Sequence, residues 1–294
     1  MSIRNNFDRV SPKDLNQDSP VQAEQDTPQQ SDPQVKPMAF SVPTEFVDLP
    51  SKGEYYPKDH PLHGVNTIEI KYMTAKEEDI LTSKTLLKKN LTMDRLLRSI
   101  IVDKRINPDD LLVGDKNALV VASRITGYGP SYATSVKCPA CGEKTQVDID
   151  LNQALESGQF QVETDEEDAK RTEDGTYIVT TPRTKAAVEI KLLDGHDEKR
   201  IQRAEEQRKR HKLPEQIATT AMSAFIVSVN GVPDPQYIAS FIQNAPAADA
   251  RYVREAFAVL SPAVNMKFDF LCGSCSHEDL LEVPLNAEFF WPKR

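Results

Sequence analysis

Four cysteines in 294 residues are too few to hold a chain of this size together by disulfides. No apolar run reaches the ~18 residues of a membrane span. The opening MSIRNNFDRVSPKDLNQ has no apolar stretch that would act as a signal peptide. A collagen-like, membrane or secreted disulfide-rich protein is therefore not expected. Positive charge is in the minority, with 36 Lys+Arg against 45 Asp+Glu and a net charge of -9. That balance argues against non-specific nucleic-acid binding, which depends on neutralising phosphates. The catalytic signatures G-x-G-x-x-G, Walker A, G-x-S-x-G and H-E-x-x-H are all missing. Acids are plentiful, but no pair is marked out as a catalytic dyad. An enzyme is not expected.

What is present suffices for a folded core: 39% hydrophobic residues with 28% charged. Residues 1–43 are set apart by Pro12, Pro20, Pro28, Pro33, Pro37 and Pro43, and by six glutamines from Gln17 to Gln34. Such a segment buries too little apolar surface to offset its ordering entropy. It reads either as a plain tail or as an arm that orders on a partner through Ile3, Phe7 and Val10.

From Phe46 the chain reads as folded. Pro50 and Gly53 mark a turn. Ile68, Ile70 and Tyr72 alternate with polar residues as a short strand. Thr74 and Glu77 match a capping box opening a helix to about Lys89, ended by Asn90. Thr92 is placed to cap a second helix with Leu96, Leu97, Ile100 and Ile101 on one face. After a turn at Asn107–Asp110, Asp115 is placed to cap a third, Lys116 to Ile125, stopped by Gly127. Residues 44–129 thus predict a small α-helical unit with a leading turn and strand.

Residues 130–294 change character. Strand ends at Ser135–Lys137 and Thr145–Ile149 flank the first cysteines. Seven acids between Glu163 and Asp174 read as a solvated loop. Tyr177–Val179 and Val188–Leu192 predict paired strands. Asp197–Lys212 carries dense charge of both signs and no apolar stripe. It reads as an exposed helix or hairpin tip, or, through Arg208, Lys209, Arg210 and Lys212, as a basic partner-contact surface. Ala224–Val229 reads as a strand running into an Asn230-Gly231 tight turn. Helices are expected from Asp234-Pro235 to about Gln243 and from Pro246 to Leu260, with Tyr252, Phe257 and Leu260 in the core. A final strand spans Met266–Leu271. Phe289-Phe290-Trp291 must be buried, either on the chain's own core or as a partner anchor.

All the cysteines fall in two C-x-x-C pairs, Cys138/Cys141 and Cys272/Cys275, each between strand patterns. Two intervening residues let a tight turn aim both thiolates at one point, and glycines permit the backbone angles required. Two such knuckles supply four ligands for one tetrahedral Zn²⁺, a filled sphere and therefore a structural site. The pairs of a compact ribbon lie ~15–20 residues apart. Here the 130 residues from Gly142 to Leu271 intervene, so residues 150–265 read as an insertion. A thioredoxin-like redox pair, disulfides or free thiols are the other readings of these cysteines. His277 is expected beside the site and not in it. His60-Pro61-Leu62-His63 is expected to be an ordinary turn.

The run Phe46-Val47-Asp48-Leu49-Pro50-Ser51-Lys52-Gly53 with Tyr55-Tyr56, then Met73-Thr74-Ala75-Lys76-Glu77-Glu78-Asp79-Ile80-Leu81, the two knuckles and the Phe289-Phe290-Trp291-Pro292 end resembles the T4-type bacteriophage baseplate proteins. The likeness is strongest to the hub-assembly proteins of contractile tails, from about residue 44 onward. It implies a non-enzymatic assembly role among other baseplate and hub proteins, synthesis in the host cytoplasm and a place in the virion tail. The resemblance carries the four cysteines over as a metal site and supplies no catalytic residues. The expected fold is α+β: a helical unit joined to a β-rich, zinc-ribbon-like region with a long helix-containing insertion. The competing reading is a nucleic-acid-binding zinc-ribbon protein, which would need a basic face.

Overall fold

A computed structural model describes residues 41–88, 91–156, 169–283 and 287–290. The expectations for most of the N-terminal arm, for the helix end at Asn90, for the acids 163–168 and for Trp291-Pro292 lie outside the described residues. Residues from Val42 onward form one compact α+β unit.

The chain opens with an antiparallel pair, β1 (Thr44–Asp48) and β2 (Thr67–Lys71), in register from Thr44↔Lys71 to Asp48↔Thr67. The loop between them turns at Gly53, whose φ of +71° suits glycine and whose Cβ, if present, would lie 2.5 Å from the Leu62 carbonyl oxygen. Next come α1 (Ala75–Thr82) and α2 (Lys84–Lys88). The single helix expected to Lys89 is broken at Ser83, which is extended and closes α1 through its N–H to the Ile80 carbonyl. The capping box is present, and buried Glu77 accepts from the Thr74 N–H at 2.9 Å, from the Thr74 and Ser99 hydroxyls and from the Lys71 ammonium at 2.9 Å.

The helix α3 (Thr92–Ile100) buries Leu96, Leu97 and Ile100 as its periodicity predicts. Thr92 is not its cap. Leu91 holds that position, and the Thr92 hydroxyl is buried without a hydrogen-bond partner. Asp115 is also not a cap. The helix α4 (Val113–Tyr128) starts earlier and runs past Gly127 to stop at Gly129. Asp115 sits inside its first turn, fully buried, where its charge suits the helix N-terminus. Its carboxylate accepts from the Ser51 N–H (2.9 Å), the Ser51 hydroxyl (2.6 Å) and the Tyr56 hydroxyl (2.6 Å). Tyr56 in turn accepts from the Leu112 N–H at 3.1 Å. The loop after β1 is thereby fixed to the start of α4. Burial raises the Asp115 pKa above the carboxylate norm, against the pull of the Ser51 and Tyr56 hydrogen bonds.

Two antiparallel hairpins carry the cysteines: β3 (Ser131–Lys137) with β4 (Lys144–Asp150), and, at the far end of the chain, β9 with β10. Between them lie α5 (Asn152–Glu156) and a four-stranded antiparallel sheet in the order β5 (Ala169–Arg171), β6 (Tyr177–Thr180), β7 (Ala187–Ile190) and β8. The charged segment is the helix α6 (Gly195–Arg210), capped by Asp194, which accepts from the Asp197 N–H at 2.9 Å. The helix α7 (Ile217–Phe225) was not expected. It ends inside the stretch read as a strand from Ala224, so β8 is only Ile226–Val229. Asn230 and Gly231 then turn with φ of 52° and 74°. Asp234 caps α8 (Pro235–Asn244) by accepting from the Tyr237 N–H at 2.8 Å, and α9 (Ala247–Leu260) follows. The chain returns through β9 (Lys267–Leu271) and β10 (Glu278–Glu282) and closes with a 3-10 turn at Ala287–Phe290.

Among the described residues there are two large apolar cores and a small one beneath the cysteines. One large core gathers β1, β2, α1, α3, α4, β3 and β4 with Val264, Val283, Phe289 and Phe290. The other fills the segment between the two cysteine hairpins, where Phe225 stacks on Phe257 with centroids 4.2 Å apart. Tyr252, Phe257 and Leu260 pack against this second core while remaining partly exposed. Phe289 and Phe290 are wholly buried on the chain's own core, Phe289 edge-on to Tyr132 at 5.1 Å. Buried Arg124 fixes this end by donating to the carbonyls of Phe289 (2.8 Å), Gly129 (2.6 Å) and Ser131 (3.0 Å). Ion pairs join the insertion to the helical segment. Lys116 lies between Asp94 (3.1 Å) and Glu198 (2.7 Å), and Lys199 between Asp94 (2.8 Å) and Asp109 (2.6 Å).

Two predictions follow from the buried acids. Asp115→Ala leaves the Ser51 and Tyr56 donors unpaired in the core and is expected to destabilise by roughly 3 kcal/mol in urea denaturation; an unchanged midpoint refutes the role assigned to it. For Glu77, burial favours protonation, but the donors Ser99, Thr74 and Lys71 outweigh it and hold the pKa at about 2, below its ordinary 4.5. A depressed acid contributes its stability above the unfolded pKa and loses it as pH falls through the folded one. Stability should therefore decline between about pH 4.5 and 2, by roughly 3 kcal/mol from this group. Glu77→Gln should flatten that part of the stability–pH curve.

Candidate metal centre

The four cysteines lie at the tips of the two hairpins. The ladder of β3 and β4 ends at Lys137↔Lys144, and that of β9 and β10 at Leu271↔Glu278. Each leaves a six-residue loop that begins with a buried cysteine and carries an exposed one three residues on. The loops repeat the same hydrogen bonds. Cys138 N–H donates to the Glu143 carbonyl (2.8 Å) and Gly142 N–H to the Cys138 carbonyl (2.9 Å). In the second loop, Cys272 N–H donates to the His277 carbonyl (2.9 Å) and Ser276 N–H to the Cys272 carbonyl (3.0 Å). Gly142, at φ +80°, supplies the left-handed position that glycine favours. In the second loop that position falls to Ser276, at φ +56°, and not to a glycine.

The loops face each other. Cys138 Sγ is 3.8 Å from Cys275 Sγ, and Cys141 Sγ is 3.7 Å from Cys272 Sγ. All four sulfurs lie within 4.8 Å of one another. A disulfide would bring two sulfurs to about 2.05 Å. Tetrahedral coordination at a Zn–S distance of about 2.3 Å puts the sulfurs about 3.8 Å apart, close to the two cross-loop distances. The donor set can hold one metal ion. Beneath it, Phe270 packs with Cys138 and Cys272, with Val136, Val147, Phe268 and Leu281 around them. The Thr145 hydroxyl lies 3.7 Å from Cys272 Sγ as a donor, a role its position in β4 did not disclose from sequence.

The electrostatics of the cluster favour a cation. Backbone N–H groups of Cys275 and Ser274 draw the Cys272 thiol down to about 6. The His277 N–H acts on Cys275 in the same direction, but the sulfurs of Cys141 and Cys272 beside it push that thiol up to about 12. Ionised together, four thiolates at this spacing would repel, and a divalent ion would remove that conflict.

His277 turns away, its Nε2 3.7 Å from Asp279. In the other histidine pair, His60 stacks on Tyr56 with centroids 4.6 Å apart, and His63 Nδ1 lies 2.7 Å from the Tyr56 carbonyl oxygen. Both serve their own turn.

An α+β body with a four-cysteine cluster at the meeting point of two distant hairpins is the class of protein these observations define. The family is then specific: residues 42–291 match the family of the T4 bacteriophage base plate protein, and the chain belongs to it. No curated protein and no solved structure matches the chain. The protein is thus a structural component of a phage tail baseplate, assembled with other phage proteins. No described helix is long and apolar enough to cross a membrane.

Ser276→Gly relieves a non-glycine residue in the left-handed region and should stabilise the protein by about 1 kcal/mol. Gly142→Ser should destabilise by a similar amount. Thermal melts of both variants test this, and equal responses at the two positions would contradict the proposed equivalence of the loops.

Proposed function

We propose that the protein is a non-enzymatic assembly component of the baseplate hub, with a structural Zn²⁺ held by Cys138, Cys141, Cys272 and Cys275. The observation that carries the metal reading is the convergence of four sulfurs, two of whose cross-loop distances are close to a tetrahedral edge. Zinc suits an all-thiolate tetrahedral set with no preference for another geometry. Four protein ligands fill its sphere, so the ion would provide folding energy and no open position for a substrate. It would tie the first hairpin to the last across the residues 150–265, which we regard as an insertion in a ribbon-like frame spanning 130–294. The unit 44–129 and the N-terminal arm complete the organisation. The loop closed by the ion is long, where a crosslink removes most entropy from the unfolded chain.

The hub assignment rests on the sequence resemblance, with synthesis in the host cytoplasm and the other hub proteins as partners. Among the described residues the structure has a closed sulfur cluster and buried polar clamps, which suit a scaffold. The nucleic-acid reading has only the basic end of α6 in its favour, within a chain of charge -9.

Freshly purified, reduced protein is expected to carry about one zinc per chain by elemental analysis, in line with one four-thiolate site. Chelation should lower its melting temperature, and re-addition of Zn²⁺ should restore it. Cys138→Ser should abolish stoichiometric zinc. Metal-free protein with an unaltered melting temperature would end the zinc reading. Co-assembly with purified hub proteins, followed by sedimentation, tests the hub reading separately.

A further inference from the structure

Among the described residues, five large apolar side chains are at least half exposed: Phe46 (67%), Leu213 (50%), Ile217 (61%), Leu271 (59%) and Leu280 (54%). Four of them form two patches of opposite electrostatic setting. Leu213 and Ile217 lie at the turn between α6 and α7. The flanking sequence carries Arg208, Lys209, Arg210 and Lys212 against Glu206 and Glu215. Lys209 lies 3.6 Å from Glu215 and Arg210 4.0 Å from Glu206, both pairs exposed, and Arg208 Nε donates to the Pro214 carbonyl at 3.0 Å. Lys212 holds a φ of +53°, which folds the turn so that the Leu213 N–H reaches the Arg208 carbonyl at 2.9 Å.

Leu271 and Leu280 lie on the outer face of the β9–β10 hairpin. The register pairs Leu271 with Glu278 and Leu280 with Asp269, so the two leucines are diagonal neighbours on one face. Glu278, Asp269 and Glu282 share that face with Lys267, which lies opposite Glu282, and all are exposed. The first patch is thus an aliphatic pair in a net basic setting, and the second an aliphatic pair in a net acidic one. Exposed aliphatic pairs ringed by charge are what interfaces use, with charge setting orientation and partner choice.

We propose that these patches bind each other between copies of the chain, the α6–α7 turn of one copy docking on the β9–β10 hairpin of the next. Two different surfaces meet, so the contact is head-to-tail. Such contacts close into rings when the rotation per subunit permits. A second copy is favoured over nucleic acid because the turn presents aliphatic side chains where base stacking would need aromatics. Each contact is small, so an isolated pair should associate with a Kd on the order of 10–100 µM. Repetition around a ring would reinforce it.

Sedimentation velocity of the full-length, metal-loaded protein across a concentration series tests this. Association should weaken about tenfold or more when salt is raised from low to high, as exposed charge pairs are screened. The paired substitutions Lys209→Glu and Lys212→Glu should abolish association, as should Asp269→Lys with Glu278→Lys. Leu213→Ser should weaken it. All these side chains are exposed, and circular dichroism with metal content checks that each variant is folded. The decisive arm mixes the turn-reversed and hairpin-reversed variants. Each variant alone carries like charge on both patches, whereas each patch of one complements the opposite patch of the other, so the mixture should associate by alternation of the two variants, and all four substitutions in one chain should restore self-association. A wild-type protein that stays monomeric at low salt overturns the proposal, as does a mixture that fails to pair. Salt-dependent binding of a random-sequence DNA duplex, lost on turn reversal while the wild type stays monomeric, would assign the turn to nucleic acid instead.

Discussion

Four sulfurs drawn to within 4.8 Å of one another, from hairpins in the middle and near the end of the folded chain, are the constraint on which the rest of the architecture depends. The sulfurs share hydrogen bonds unequally: backbone N–H groups lower the Cys272 thiol, while the neighbouring sulfurs raise that of Cys275. A site of this kind is only tolerable with a cation or with protons. Whatever settles that charge also fixes the relative position of the two hairpins. It thereby decides where the segment between them begins and ends. The segment between the hairpins has its own apolar core, which includes Val179, Val188, Phe225 and Val253, and Lys199 and Glu198 tie it to Asp94, Asp109 and Lys116. The frame that holds it requires its last strands to return to its first.

That return is enforced by buried polar groups as well as by sulfur. Arg124 places its guanidinium on three carbonyls, one of them at Phe289, and so couples the middle of α4 to the end of the chain. Asp115, two turns earlier, couples the same helix to the loop after β1. Asp249 does similar work inside the insertion, accepting from the N–H groups of Arg183 (2.8 Å) and Thr184 (2.9 Å). In each case a charged side chain is taken out of water and surrounded by fixed partners. Apolar packing supplies most of the folding energy, but it is not directional. These groups have one satisfied arrangement and so select a register. A baseplate component must present fixed surfaces to its neighbours, and buried polar clamps of this kind make a surface rigid.

Much of this was legible in the chain. Apolar periodicity located α3, and Asp234-Pro235 marked the start of α8. Asn230-Gly231 announced its turn because few residues other than glycine and asparagine enter the left-handed region cheaply. The errors share one cause. Thr92 and Asp115 are residue types that favour helix caps, and each sits near a helix start. Both lie inside the helix instead, because Thr92 is packed in the core and Asp115 has better partners at Ser51 and Tyr56, more than fifty residues away in sequence. The helix α7 carries no cap and no clean stripe, and its end merges with the apolar run of β8. Ser276 has no sequence mark at all. Its backbone angle follows from the loop that the sulfurs require.

The sequence by itself determined which residues could serve as a four-sulfur donor set, because each pair of thiols two residues apart is set between strand patterns. It also determined the local periodicities and turns, which depend on neighbours within a few positions. Only the tertiary structure decided that the two pairs meet, that Asp115 and Arg124 are clamps, and that Phe289 and Phe290 face inward. Those outcomes depend on distances between segments more than a hundred residues apart, or on which donors remain unpaired once the core has closed. A chain read locally contains neither quantity.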